Sequence, residues 1–275
     1  MEAGMEQASD GVWTPLIHAI PSVAAAIGLS MVLLWLWSLR LRDVSIVDPW
    51  WAPGFALGAA VTAILGLGPG LRPQIVLGLI TLWALRLGLF LTLRKLGHGE
   101  DFRYVAMRGR FGPRFDLWSL PVVFGLQGLL QLLIGLPVYA TVGALGPEEL
   151  GLLDLLGATL ALAGIGLEAW ADAVLRTFKA DPAHKGAVCD RGPWAWSRHP
   201  NYFGNALLWW GFGLFALSIG AWPLLFAPAL MTFLLLRVSG VALLERDIHE
   251  RRPAYRDYIE RTSAFVPWPP RRRRG

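Results

Sequence analysis

Residues 117–147 read LWSLPVVFGLQGLLQLLIGLPVYATVGALGP, with no Asp, Glu, Lys or Arg among them. A helix that crosses a bilayer needs about 20 predominantly apolar residues, and this stretch exceeds that. Stretches 11–39, 52–71 and 200–236 are equally free of charge. Working outward from them gives seven helices, at about 14–38, 52–68, 74–93, 119–142, 151–176, 202–219 and 222–241. The sixth and seventh form a hairpin broken at Gly220-Ala-Trp-Pro223, where Gly and Pro punctuate the uncharged run. The expected fold is all-α: a polytopic membrane protein of about seven transmembrane helices, read as a single integral-membrane domain over 1–275.

Composition agrees. Of 275 residues, 55% are hydrophobic and 16% charged, against roughly a quarter charged in a soluble domain. Fourteen Trp and 13 Phe exclude a disordered chain, and the lone Cys189 excludes a disulfide scaffold. Glu2, Glu6 and Asp10 argue against a cleavable signal peptide. Of the 25 Lys and Arg, 22 fall in the connections of one side and beyond residue 245, whereas the opposite side carries Arg72 alone. The positive-inside rule then directs the N-terminus outward and the C-terminus to the cytoplasm. The net charge of +5 reflects that topology. Nucleic-acid binding is not expected.

Polar residues gather toward the cytoplasmic side. Glu168, Asp172, Arg176 and Lys179 fall at i, i+4, i+8 and i+11, one stripe of the fifth helix. Ionisable groups at membrane depth usually face a cavity or a partner; an i,i+4 ladder is the plain alternative. Next comes Arg191-Gly-Pro-Trp-Ala-Trp-Ser-Arg198-His199-Pro200-Asn201-Tyr202-Phe-Gly204-Asn205. Pro200 suits a first helical turn, and a helix N-terminus beside Arg191 and Arg198 favours an anion. A third cluster runs from Arg237 through Glu245 and His249 to Tyr258. The sum is cationic, which points to a polyanionic ligand.

Other signals carry less. Gly164-Ile-Gly166-Leu-Glu-Ala169 and Gly211-Phe-Gly213-Leu-Phe-Ala216 imitate a dinucleotide fingerprint, but neither follows a strand. Small residues there permit close helix packing, as does Gly54-x-x-x-Gly58. The five histidines form no metal-binding array, so no metal is expected.

Ser197-Arg-His-Pro-Asn-Tyr-Phe-Gly204, Glu168-x-x-x-Asp172, Arg237 and the ending Tyr255-x-x-Tyr258-x-x-x-Thr262-Ser-x-Phe265-Val-Pro267 resemble the steroid 5-alpha-reductase superfamily. The chain looks closest to a bacterial branch of multi-span proteins, which shows segments like Glu100-Asp-Phe-Arg-Tyr104-x-x-Met107-Arg108 and Leu126-Gln-Gly128. The resemblance implies seven helices in the bacterial inner membrane, enclosing NADPH reached from the cytoplasm, with residues 165–267 as the cofactor-binding part. It also implies reduction of a carbon–carbon double bond conjugated to a carbonyl in a hydrophobic, steroid-like or other lipid substrate. Asp172, Lys179, Asn201, Asn205 and Arg237 fall on positions that hold the dinucleotide in steroid reductases. Glu168, Arg176, Arg198, His199, Tyr202 and Glu245 complete the candidate cofactor set. Glu168 stands where those enzymes carry Asn, Glu245 where they carry Tyr, and Asn205 where they carry Glu.

Enone reduction also needs an acid near the carbonyl oxygen, for which Tyr104, Glu100 and Asp48 are the candidates. The His-Pro-x-Tyr and Glu245…Tyr255…Tyr258 ending is also similar to the isoprenylcysteine carboxyl methyltransferase family. That alternative implies S-adenosylmethionine, which lacks phosphates and does not need converging basic residues. A third reading, a transporter or scaffold, would place polar residues through the bilayer midplane.

Overall fold

A computed structural model describes residues 2–146, 148–238 and 254–271. Among these residues there is no β-strand. The helices are α1 (Glu2–Leu41), α2 (Trp51–Gly66), α3 (Leu71–Lys95), α4 (Phe102–Phe111), α5 (Phe115–Ser119), α6 (Leu126–Gly143), α7 (Leu152–Ala180), α8 (Pro200–Ser218), α9 (Phe226–Phe233) and α10 (Ala254–Arg261); they overlap each of the seven expected segments, and α4, α5 and α10 are additional. The end of the seventh predicted helix lies outside the described residues. Among the described residues, Gly11–Leu41, Leu71–Lys95, Phe102–Gly143 and Leu152–Ala180 are long and apolar enough to cross a membrane. The chain is an integral membrane protein. Two predicted spans fall short for visible reasons. Helix α2 has only 16 residues, and α8 opens with Pro200, Asn201 and Asn205, which lower its mean hydropathy. The stretch Trp222–Val238 is apolar but shorter.

The break expected near residue 220 is there: Gly220 takes φ 80°, and the Ala221 amide donates to the Ala216 carbonyl at 2.9 Å. A positive φ of this kind suits glycine. A second irregularity follows Pro121, which has no amide hydrogen to donate. The backbone widens into a π turn over Leu120–Gly125 before α6 begins.

The chain divides into two compact units: Met1–Leu155 with Phe215–Ala227, and Leu156–Leu214 with Pro228–Gly275. In the first unit α1, α2, α3 and α6 pack together around Ile27, Phe55, Ile80, Trp83, Phe124 and Tyr139, all fully buried. Helix α2 fits because Gly54 and Gly58 leave room for the side chains of Gln131 and Tyr139 on α6. One end of this unit is closed by a buried ion pair. Arg72 Nε and Nη2 donate to Asp154 Oδ1 and Oδ2 at 2.7 and 2.9 Å. The Asp154 carboxylate also accepts from Ser218 Oγ at 2.6 Å and the Gly151 amide at 2.8 Å.

In the second unit α7 and α8 meet backbone to backbone. A Cβ at Gly164 would lie 2.5 Å from the Gly204 carbonyl oxygen, and one at Gly211 would lie 2.6 Å from that of Gly157. Close packing is thus what Gly164 and Gly211 provide, as their spacing suggested; Gly166 meets nothing.

The C-terminal segment is clasped onto the loop before α8. Tyr258 Oη donates to the Trp194 and Ser197 carbonyls, and Arg198 N to the Ser263 carbonyl at 2.8 Å. Burial pushes the Tyr258 phenol above its ordinary pKa, so it remains a donor.

Candidate functional site

Each unit carries its own polar cluster. In the first, a 3₁₀ turn over Val44–Trp50 follows α1 and presents Asp48, while α4, capped by the Asp101 side chain, presents Arg103 and Tyr104. Tyr104 Oη donates to Asp48 Oδ1 at 2.7 Å, and Arg103 Nη2 donates to Asp48 Oδ2 at 2.6 Å. The Tyr104 side chain is buried.

Glu100, the third candidate acid, is engaged differently. Its two oxygens accept from Arg108 Nη2 and Nε at 3.0 and 3.1 Å and from the Val44 amide at 2.9 Å. With both oxygens occupied by the Arg108 fork and a backbone amide, Glu100 ties α4 to the 3₁₀ turn. Tyr104 and Asp48 alone of the three are brought together.

Behind them Asp43 pairs with Lys95 at 2.7 Å. Burial opposes ionisation of Asp43, but hydrogen bonds from Lys95 and Ser45 outweigh it and hold the carboxyl below its ordinary range. Asp101 is likewise lowered: desolvation is overcome by the Arg103 side chain and amide.

Toward α6, Gln127 Nε2 lies 3.5 Å from Tyr104 Oη. Gln131, fully buried, donates from Nε2 to the Trp51 carbonyl at 2.9 Å. The Oε1 atoms of both glutamines are buried with no hydrogen-bond partner. An unsatisfied acceptor at membrane depth is costly, so this lane of α6 is ready to receive a donor. Arg103, Arg108, Gln127 and Gln131 are not among the candidates the sequence supplies. Arg103, Arg108 and Gln127 lie in the segments Glu100–Arg108 and Leu126–Gly128 that carry the resemblance, whereas Gln131 lies in neither.

The second cluster lies where α7 and α8 face each other. Asn205 Nδ2 donates to Glu168 Oε1 at 3.3 Å, and Asn201 Nδ2 donates to Asp172 Oδ1 at 3.2 Å. Glu168, Asp172 and Asn205 are buried. Asn205 Oδ1 is buried without a hydrogen-bond partner. His199 and Tyr202 stack their rings at 5.6 Å.

The cations are distributed otherwise than the sequence suggests. Arg176, Lys179 and Arg237 are exposed. Arg198, expected near a cofactor phosphate, is buried and donates from Nη1 to the Ile259 and Thr262 carbonyls at 3.0 and 2.7 Å. Arg191 lies over the Phe178 ring at 5.7 Å. Glu245 lies outside the described residues. No group of three or more His, Cys, Asp or Glu able to hold a metal occurs among the described residues.

The family model described as "Protein of unknown function (DUF1295)" matches residues 34–262. The chain belongs to this family. Both polar clusters lie inside the DUF1295 match, whereas Trp268 and Arg271 lie beyond it. No curated protein and no solved structure matches the chain.

Proposed function

We propose that the chain is a membrane-embedded NADPH-dependent reductase of a carbon–carbon double bond conjugated to a carbonyl, acting on a hydrophobic lipid or steroid-like substrate. The DUF1295 family is associated with steroid 5-alpha-reductase-like proteins. The observation that carries the reading is the α7–α8 cluster. Two buried carboxylates and the open Asn205 Oδ1 present acceptors to ribose hydroxyls and to a carboxamide NH₂. Exposed Arg176, Lys179, Arg191 and Arg237 supply positive charge for the phosphates. The residues present therefore fit a dinucleotide, which when bound would supply hydride.

The chain's own part in the reaction is to hold and move a proton. In the first unit Arg103 holds Asp48 in place, and Asp48 in turn accepts from the Tyr104 hydroxyl and fixes its position. Tyr104 is the group we assign to the substrate carbonyl oxygen, with Gln127 Nε2, 3.5 Å from Tyr104 Oη, as a second donor beside it. The 22-to-1 charge bias supports the orientation, N-terminus out and C-terminus cytoplasmic. It also supports cytoplasmic entry of the cofactor, in the bacterial inner membrane.

The same buried carboxylates also suit the ribose hydroxyls and sulfonium of S-adenosylmethionine, so a methyltransferase is the second reading. Titrating detergent-purified protein with NADPH, NADH and S-adenosylmethionine decides between them. NADPH should bind tightest; tighter S-adenosylmethionine binding overturns the reductase.

A further inference from the structure

A cavity of about 500 Å³ opens against the C-terminal segment, lined by Arg198, Arg261, Thr262, Ser263, Trp268 and Arg271. Arg198 is buried and fixed by two backbone carbonyls. Arg261 is fixed by Asp190, Nη2 to Oδ2 at 2.6 Å, yet its Nε is buried without any acceptor. One carboxylate, Glu260, shares the lining. Three arginines against Glu260 and Asp190 leave one positive charge, which matches a singly charged phosphodiester better than a zwitterion.

The rim points to where that phosphodiester comes from. Trp268 and Trp196 are 68% and 53% exposed, held side by side by the Trp268 amide donating to the Trp196 carbonyl at 2.9 Å. Val266, two residues before Trp268, is also exposed. In a membrane protein, exposed tryptophans beside arginines mark the headgroup layer, where the indole sits at the interface and the guanidinium meets phosphate. Arg272–Arg274 follow directly in the sequence and add attraction to an anionic surface.

We propose that this cavity binds the phosphate of an anionic lipid headgroup, with Arg261, Arg271 and Arg198 on the phosphate oxygens and Glu260 accepting a headgroup hydroxyl. Anchoring a lipid there would tie the C-terminal clasp, and through it the loop before α8, to the bilayer surface. The site is independent of the reductase reading and needs no turnover to test.

Delipidated full-length protein is titrated in detergent with dihexanoyl-phosphatidylglycerol or dihexanoyl-phosphatidylcholine, and the bound lipid is counted by native mass spectrometry. Phosphatidylglycerol should bind at least about tenfold tighter, as expected for added charge-assisted hydrogen bonds. Arg261→Gln with Arg271→Gln should abolish that preference, while Arg40→Gln should leave it intact. Arg271→Gln alone, on an exposed side chain, keeps the test valid if loss of the Arg261–Asp190 pair prevents folding; it should weaken phosphatidylglycerol binding several-fold. Equal affinity for the two lipids, or an unaltered preference in Arg271→Gln, overturns the proposal. So does displacement of phosphatidylglycerol by NADPH or pyrophosphate, which would assign the cavity to a soluble phosphate.

Discussion

The two units solve the same problem, a carboxylate inside a membrane protein, in different ways. In the first, Asp48, Glu100, Asp43 and Asp154 are met by Arg103, Arg108, Lys95 and Arg72. In the second, Glu168 and Asp172 are met by the amides of Asn205 and Asn201. Ion pairing fixes both the charge and the position of a carboxylate, because removing either partner leaves a buried charge uncompensated. An amide contributes a hydrogen bond to the carboxylate and has a carbonyl oxygen besides; that of Asn201 accepts from the Tyr202 amide, and that of Asn205 is left without a partner. The first arrangement suits a framework that orients a proton donor. The second suits a surface that accepts a ligand.

The sharpest way to break that contrast is at Tyr104. If ion-paired Asp48 exists to aim the tyrosine, Tyr104→Phe should lower turnover on a reducible enone about 10²- to 10⁴-fold. NADPH affinity should hold. Normal turnover in a folded Tyr104→Phe protein would reduce the first cluster to scaffolding.

The next largest effect is on stability. Asp154→Ala strands Arg72 in a site where the pair is almost fully buried, and should cost about 3–5 kcal/mol in thermal or denaturant unfolding. The double variant Arg72→Met with Asp154→Leu should recover most of that loss. A single variant as stable as wild type would show that the pair does not hold this end of the unit together.

In the second unit, Asn205→Ala should act on chemistry more than on binding. Hydride transfer should slow by more than about tenfold while NADPH dissociation changes by less than about threefold. Abolished NADPH binding would contradict a positioning role, as would unchanged turnover.

The smallest effect is on pH dependence. Asp43 and Asp101 are held below the ordinary carboxyl value of 3.8, so their contribution is present above that value and is lost as pH falls through their folded pKa values. Acidification from pH 5 toward 3 should lower the thermal midpoint by less than about 4 °C, since partly exposed pairs contribute about 1 kcal/mol or less. Lys95→Met should flatten that dependence. A steeper acid transition in the variant would show that Lys95 is not what lowers Asp43.

The second cluster was readable because its spacing is local. Glu168 and Asp172 are one turn apart on α7, as are Asn201 and Asn205 on α8, and each pair keeps to one helix face. What spacing did not reveal is that the two faces meet, amide to carboxylate, with Gly164 and Gly204 allowing the approach. Nor does spacing reveal that Arg198, beside the N-terminus of α8, is held by the carbonyls of Ile259 and Thr262 on the C-terminal segment.

By itself the sequence determined that the chain lives in a membrane, where its long apolar helices run, and that Gly220 interrupts one apolar run. Those properties follow from runs of uncharged residues and from backbone preferences, which act over a few residues. Only the tertiary structure decided that Asp48 meets Tyr104 across 56 residues and Arg72 meets Asp154 across 82. Only it decided that Glu100 is bound to Arg108 rather than open to a substrate. Such pairings depend on which helix faces pack together. In a chain whose helices are apolar almost all round, hydrophobic periodicity does not specify that choice; close contacts between small residues, and the few polar groups that must find partners, do.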